Sequence, residues 1–141
     1  HNTLFIINDD INLAQKINAD GVHLGKDDAS ILAARQQLGD DAIIGVSCYN
    51  DIELAKTVQS QGADYVAFGA LFPSSTKPNA PYCSLEVISQ AKKALTIPIV
   101  GIGGVDFNNQ HQAFDAGCDA VAMINALFQS VDSLQDNKAR T

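Results

Sequence analysis

The sequence predicts an α/β fold built around a parallel β-sheet. Short apolar runs rich in Val and Ile alternate with segments in which apolar residues recur at helical spacing. The runs are apolar almost throughout, as is typical of parallel strands that are buried on both faces. A weak repeat at residues 18–22, 62–66 and 117–121 joins a helix end to the next strand, and Asp stands directly before that strand each time. The spacing of the first two copies gives units of about 22 residues, which suits βα repeats.

The apolar runs define six predicted strands. Each is short and is bounded by residues such as Gly, Pro, Asn or Asp, which separate it from the helical segments. In chain order the strands are LFIIN (4–8), GVHLG (21–25), AIIGVS (42–47), YVAFG (65–69), IPIVGIGG (97–104) and AVAMI (120–124).

The segments between and after these runs define six predicted helices. Several open with Asp, Asn or Ser, which suit an N-cap, and several end at Gly. They are DINLAQKI (10–17), DASILAARQQLG (28–39), DIELAKTVQSQG (51–62), SLEVISQAKKAL (84–95), NNQHQAFDAG (108–117) and ALFQSVDSL (126–134).

Two architectures accommodate six such units: part of an eight-stranded parallel barrel, or an open doubly wound sheet. The number of units does not decide between them. The 141 residues suit one domain, and 46% hydrophobic residues are enough to fill a core. In both architectures ligands bind at the carboxyl ends of the strands, so the residues that follow each run are the informative ones.

The composition and charge of the chain limit the classes of molecule that it is expected to bind. A formal charge of -7 argues against a nucleic-acid backbone, whose binding depends on clustered Lys and Arg, but it allows a small phosphorylated ligand. No apolar run is long enough to cross a bilayer and no signal peptide is visible, so we expect a soluble cytoplasmic protein without a membrane partner. Cys48, Cys83 and Cys118 show no metal-binding spacing and are interpreted as reduced, mostly buried thiols.

Carboxylates follow the first two predicted strands. Asp9 and Asp28 are hard oxygen ligands of the kind that Mg²⁺ takes together with water and phosphate oxygens. Both residues also open predicted helices, so helix capping is the alternative, favoured for Asp28 and evenly balanced for Asp9. His23 lies within a strand and is interpreted as packed rather than catalytic, and His111 is expected on an exposed helix surface.

The loop after the fourth strand is longer than a turn requires, and long loops of this kind are often functional. Its Ser74, Ser75, Thr76 and Lys77 supply hydroxyl donors and a cation, and flanking prolines stiffen it, so it could wrap a pyrophosphate; a solvated loop is the alternative. The glycines of residues 101–104 could let the backbone approach a phosphate, and a tight turn is the alternative there.

Taken together, these residues resemble the thiamine phosphate synthase family over almost the whole chain. The resemblance rests on several motifs in one order: IIND (6–9), GVHLGKDD (21–28), GVS (45–47), FPSSTKP (72–78), PIVGIGG (98–104) and VAMIN (121–125). It implies a TIM (β/α)8 barrel, of which this chain supplies about six βα units, the third to the eighth.

The resemblance also implies a reaction. In the family, 4-amino-2-methyl-5-pyrimidinylmethyl diphosphate loses pyrophosphate, and the nitrogen of 4-methyl-5-(2-phosphoethyl)thiazole captures the resulting cation. Asp9 and Asp28 match ligands of the Mg²⁺ cofactor. The other matching positions bind substrate, with Lys77 and Ser47 closest to the chemistry: Asn8, Ser47, Ser74, Thr76, Lys77, Gly104, Ile124 and Asn125.

The chain departs from the family pattern at some positions. Ser74 stands where the family often has Thr, and Asn125 stands where Ser is common. Family members carry two further βα units before the IIND strand, including a Gln-x-Arg-x-Lys run that grips the diphosphate, and this chain has no counterpart. We therefore expect residues 1–141 to form a single barrel domain without these two units, a longer natural protein to exist, and the fragment alone to turn over poorly. An open barrel edge also makes a homo-oligomer possible.

Two alternatives to a synthase remain. A thiazole tautomerase-like barrel binds a thiazole phosphate but has no pyrophosphate to hold, and the Ser-Ser-Thr-Lys sequence argues against it. In a noncatalytic phosphate-binding barrel, Asp9, Asp28 and Lys77 would have no common function.

Overall fold

The computed structural model describes residues 2–26, 30–73, 82–124 and 126–127, and within them the chain forms one parallel sheet with helices between its strands. The strands are β1 (Ile6–Asn8), β2 (Gly21–Leu24), β3 (Ile43–Tyr49), β4 (Tyr65–Phe68), β5 (Ile99–Gly101) and β6 (Ala120–Val121). The described helices are α1 (Ile11–Lys16), α2 (Ile31–Leu38), α3 (Ile52–Ser60), α4 (Leu85–Ala94) and α5 (Gln110–Ala116). Of the predicted helix 126–134, residues 126 and 127 are helical and the rest lies outside the described residues.

The order of the strands decides between the two predicted architectures. The strands lie side by side in chain order from β1 to β6, and every adjacent pair is parallel. Right-handed crossovers in such an order place all helices on one face. A doubly wound sheet instead reverses its strand order at a switch point. The structure is therefore a half-barrel, which confirms the barrel prediction.

Several strands differ in length from their predictions. β1 begins at Ile6, and the preceding Leu4 and Phe5 are 60% and 57% exposed. β3 is longer than predicted and continues to Tyr49. β5 ends at Gly101, because the chain then turns through Gly103 and Gly104 at φ 93° and 67°, outside the strand region.

Side-chain oxygens cap four of the five described helices. Asp10, Ser30, Asp51 and Ser84 each accept the backbone N–H three residues further on. α2 therefore begins after Ser30, later than predicted, and Asp28 itself lies outside the described residues. No helix in the described ranges is long and apolar enough to cross a membrane.

The two faces of the sheet differ in polarity. Val22, Leu24 and the other fully buried strand residues pack with helix residues in one hydrophobic core. Because strand side chains alternate between faces, His23 projects to the opposite side. We call this side the inner face; the register places Asn8, His23, Gly45, Ser47 and Tyr65 of the first four strands on it.

The repeated Asp of the sequence has a structural role at the amino ends of the strands. Asp20, Asp64 and Asp119 each pair with a residue at the start of the preceding strand: Phe5, Ile44 and Ile99, respectively. In each pair the carboxylate accepts the backbone N–H at 2.7 to 2.8 Å, and the Asp N–H donates back to the carbonyl of the same residue. The repeat therefore secures neighbouring strands at the edge of the sheet that is remote from the predicted site.

Candidate active site

The first strand ends in two residues that were predicted to bind substrate and metal. Asn8 closes β1 on the inner face and is in register with His23. Asp9 follows at φ 66°, a left-handed conformation that Asp tolerates, and its N–H donates to the His23 carbonyl at 2.8 Å. The cap of α1 is the next residue, Asp10, whose Oδ1 accepts the Leu13 N–H at 2.9 Å. Helix capping therefore does not account for Asp9.

Asp9 lines a cleft of about 410 Å³ beside the first two helices. The other lining residues are Asp10, Ile11, Asn12, Ala33 and Gln37. Within the described residues no group of three His, Cys, Asp or Glu side chains is arranged to hold a metal ion. Asp28 lies outside those residues, so the predicted pair of Mg²⁺ ligands stays a prediction. The carboxylate of Asp9 fits such an ion in its chemistry, since Mg²⁺ prefers hard oxygen donors.

The inner face carries a hydrogen-bonded group of three side chains from three adjacent strands. The Nε2 atom of His23 lies 2.8 Å from Ser47 Oγ, and its Nδ1 atom lies 2.8 Å from the Tyr65 hydroxyl. The His23 and Tyr65 rings also stack, with centroids 5.5 Å apart and planes inclined by 30°. All three side chains are half-buried. His23 is thus packed within a strand, as interpreted from the sequence, and its packing partners are polar.

Gly45 makes the group possible. Cα pairing places His23, Gly45 and Tyr65 side by side on β2, β3 and β4. A Cβ atom at Gly45 would lie 1.9 Å from Tyr65 Cζ, so the tyrosine ring occupies the space that a side chain on β3 would fill. Burial of this ring raises the pKa of Tyr65, which keeps the phenol protonated. The ring reaches His23 across the middle strand.

The loops that follow β4 and β5 lie against each other. Ile102 N–H donates to Phe68 O at 2.9 Å, and the N–H groups of Leu71 and Phe72 donate to the carbonyls of Ile102 and Gly103, both at 3.0 Å. A Cβ atom at Gly104 would lie 2.5 Å from Phe72 O. The glycines therefore permit this close contact, which anchors the base of the long loop on the β5 loop.

Two side chains shape the turn that follows Gly104. Asn109 Nδ2 donates to the Gly104 carbonyl at 2.9 Å, and Asn109 Oδ1 accepts the Asp106 N–H at 2.8 Å. Asp106 Oδ1 in turn accepts the N–H groups of Asn108 and Asn109, both at 2.8 Å. The predicted phosphate-binding position Gly104 is thus held by a network that starts from the next helix.

The remaining predicted site residues fall in two groups. Ile124 follows β6 and is 62% exposed. The structure does not place the others, because Asp28, Ser74, Thr76, Lys77 and Asn125 lie outside the described residues.

The three cysteines are buried free thiols, as the sequence predicts. Burial, with Asp51 nearby, raises the pKa of Cys48 to about 12. The pKa values of Cys83 and Cys118 rise to about 11, again chiefly through burial. Since the thiolate is the reactive form, these residues act as small apolar core side chains.

The sequence interpretation missed Tyr65 and Gly45, and it did not identify the polar partners of His23. One signal was available: a histidine on one parallel strand and a serine two residues after a strand glycine on the next. Nearly continuous apolar runs concealed this signal, because they favoured the interpretation that both faces are buried.

A parallel half-barrel with amide, imidazole and hydroxyl groups on its inner face, and a carboxylate just after the first strand, defines this protein as a (β/α)-barrel protein. Comparison with known proteins identifies which one. Residues 1–127 match the family described as thiamine monophosphate synthase, and the chain belongs to that family.

Named relatives agree with this membership. The chain is 49% identical over 132 residues to a thiamine-phosphate synthase of Halorhodospira halophila, covering 94% of this chain and 63% of the relative. It is 55% identical over 130 residues to that of Methylobacillus flagellatus, covering 92% and 62%.

Solved structures agree in fold. Thiamine phosphate pyrophosphorylase from Pyrococcus furiosus superimposes with a TM-score of 0.79 at 34% identity, over 88% of this chain and 58% of that one. A FabK mutant from Thermotoga maritima, at 18% identity and a TM-score of 0.65, shares the fold alone. The chain thus spans less than two thirds of the length of each relative named here.

Proposed function

We propose that this chain provides the greater part of a thiamine phosphate synthase. The enzyme would join 4-amino-2-methyl-5-pyrimidinylmethyl diphosphate to 4-methyl-5-(2-phosphoethyl)thiazole and release pyrophosphate. The observation that carries the proposal is the 55% identity to a relative named thiamine-phosphate synthase over 92% of this chain. The arrangement of polar groups at the carboxyl ends of β1 to β3 supports it.

The main catalytic task in this reaction is to stabilise a departing anion. As the C–O bond breaks, negative charge grows on the pyrophosphate, and the chemistry that a Mg²⁺ ion would supply here is to neutralise part of that charge. We propose Asp9 and Asp28 as the ligands of this ion. For Asp9 the structure supports this role in one respect: the cap of α1 is Asp10, so helix capping does not account for Asp9.

The loop 74–81 is proposed to close over the same leaving group. Ser74, Thr76 and Lys77 would donate hydrogen bonds to pyrophosphate oxygens, and the Lys77 ammonium would add a positive charge. The anchored residues before this loop support the assignment, because they hold its base beside the β5 loop.

Ser47 and Asn8 are proposed to contact the pyrimidine diphosphate. Both lie on the inner face at the carboxyl half of their strands, where a barrel binds its substrate. The thiazole phosphate is assigned to Gly104, Ile124 and Asn125 after the last two strands. A dissociative substitution needs no general base, so the hydrogen-bonded His23 is not assigned a proton transfer.

We further propose that two additional βα units complete the barrel in the natural protein, that it acts in the cytoplasm, and that it forms a homo-oligomer. The coverage of the relatives supports the first point, since this chain matches 62% to 63% of their lengths. A thiazole tautomerase-like barrel and a noncatalytic phosphate-binding barrel are the alternatives to a synthase.

Calorimetric titration of pyrophosphate with and without Mg²⁺ tests the proposal. A synthase should bind pyrophosphate in a Mg²⁺-dependent way, and Lys77→Ala should abolish that binding. Lys93→Ala is the matched control, because it removes the same charge from α4. Pyrophosphate affinity that is the same without Mg²⁺ and in Lys77→Ala would favour the noncatalytic barrel.

Turnover is tested on the protein made from the complete reading frame. Release of pyrophosphate should require both the pyrimidine diphosphate and the thiazole phosphate. Binding of the thiazole phosphate without pyrophosphate release would favour the tautomerase-like alternative.

A further inference from the structure

We propose that Tyr65 and His23 are positioning residues that fix the Ser47 hydroxyl as a hydrogen-bond donor toward the substrate. The identity of the substrate rests on the proposed function. The direction of the hydrogen bonds rests on the inner-face geometry.

Both ring nitrogens of His23 face hydroxyl groups at hydrogen-bond distance. The Tyr65 hydroxyl lies 2.8 Å from Nδ1, and Ser47 Oγ lies 2.8 Å from Nε2. A neutral imidazole has one N–H donor and one acceptor nitrogen. The two contacts are therefore linked: one hydroxyl donates to the ring and the other accepts from it.

The relative acidity of the Tyr65 and Ser47 hydroxyl groups determines the direction of the two hydrogen bonds. A phenol loses its proton near pH 10, whereas a serine alcohol does not titrate in the range of protein side chains, so the phenol is the stronger donor. Tyr65 O–H then donates to Nδ1 of His23. The ring proton stands on Nε2 and is donated to Ser47 Oγ.

This direction has a consequence for Ser47. Its oxygen accepts from His23, so its own proton is left to donate to a ligand on the inner face. A donor hydroxyl stabilises a phosphate or departing pyrophosphate oxygen, whereas an acceptor hydroxyl would repel it. We call the chain of hydrogen bonds from Tyr65 through His23 to Ser47 the relay. Because the relay is in place before substrate binds, no reorganisation is needed when charge develops.

The local structure favours a relay over chance proximity. The tyrosine reaches His23 because the middle strand carries Gly45, where even a Cβ atom would meet the ring at 1.9 Å. The stacked rings limit rotation of the imidazole, so that each nitrogen keeps its own partner.

The position of the ring proton tests the proposal without turnover. Protein labelled with ¹⁵N-histidine is examined by long-range ¹H–¹⁵N correlation at about pH 8.5, roughly two units above the ordinary histidine pKa of about 6.5. His23→Asn identifies the signals. We expect the proton on Nε2 in the wild type and a mixture of tautomers in Tyr65→Phe, while Tyr82→Phe leaves the spectrum unchanged. A wild-type proton on Nδ1 would overturn the proposal.

Kinetics of the protein from the complete reading frame provides the second test. Ser47→Ala should lower kcat by about a hundredfold, and Tyr65→Phe by about tenfold with KM nearly unchanged. In the double variant Tyr65→Phe should add nothing, because the hydroxyl that it orients is gone. Independent, multiplying losses would overturn the relay. If turnover is absent altogether, the proposed function fails while the tautomer measurement still decides the relay.

Discussion

Asp10 Oδ1 accepts the Leu13 N–H at 2.9 Å, so the second of two adjacent aspartates caps α1 and the first does not. This division supports the proposal that Asp9 is a metal ligand, since the adjacent residue performs the capping that was the alternative role for Asp9.

The two aspartates form a matched pair for a test of the metal site. Asp9→Asn and Asp10→Asn remove the same charge from neighbouring positions, and Asn tolerates both the left-handed conformation at residue 9 and an N-cap at residue 10. We expect Asp9→Asn to weaken Mg²⁺-dependent pyrophosphate binding about tenfold or more, because it neutralises a ligand of a hard cation.

Asp10→Asn should leave that affinity and the stability close to those of the wild type, whereas Asp10→Ala should lose about 1 kcal/mol of stability with the cap. Calorimetry and urea unfolding measure the two quantities. Equal affinities for the two Asn variants would remove Asp9 from the metal site.

Much of the fold could be predicted because it depends on local patterns. Each of the six predicted strands overlaps an observed strand, since Val and Ile runs between turn residues specify strands without knowledge of their neighbours. The start of α2 was misplaced because both Asp28 and Ser30 are cap-forming residues, and the sequence does not show which of them adopts the cap geometry.

The inner-face group could not be predicted in the same way. His23 and Tyr65 are 42 positions apart, and they meet only because the registers of β2, β3 and β4 align them across Gly45. A one-residue change of register would send either side chain into the helix-facing core. Register depends on the packing of the whole sheet, which the pattern of a single run does not contain.

The glycine after β5 is predicted to have a structural role in addition to any contact with phosphate. Gly104→Ala combines φ 67° with a Cβ only 2.5 Å from Phe72 O, so we expect a loss of about 3 kcal/mol. Gly62→Ala is the control, because its φ is 100° but no atom lies within 4 Å of the added Cβ, and strain alone should cost about 1 kcal/mol.

Urea denaturation compares the two glycine variants. Pyrophosphate affinity should fall only in Gly104→Ala, since that change displaces the base of the pyrophosphate loop. Equal stability losses would show that the β4 and β5 loops separate easily.

The stability of the protein should depend on pH through Asp119. Lys92 donates to its Oδ1 at 2.7 Å, and Ile99 N–H donates to its Oδ2 at 2.8 Å; the Lys92 contact is the larger cause that lowers the pKa of this carboxyl. A lowered folded-state pKa means that the stabilisation is present above the unfolded value of about 3.9 and is lost as pH falls through the folded value.

Asp119→Asn isolates this effect, because it keeps an acceptor for Ile99 but removes the charge. We expect the variant to melt below the wild type near neutral pH, and the two melting temperatures to converge in acid below both pKa values. A difference in melting temperature that stays constant across this range would mean that the carboxylate charge plays no part.

A last prediction concerns the space over Gly45. Gly45→Ala forces a methyl group into the Tyr65 ring, so Tyr65 must rotate away from His23, and we expect a stability loss of about 1–3 kcal/mol. Tyr65→Ala removes the obstacle but also loses the packing of the ring. Both changes act on the contact between residue 45 and the Tyr65 ring: the first creates a clash there, and the second removes the ring. The stability loss of the double variant should therefore be smaller than the sum of the losses of the single variants. Urea unfolding of the four proteins measures this coupling. Additive losses would show that the sheet accommodates the methyl group without moving the tyrosine, and that Gly45 does not determine where that ring lies.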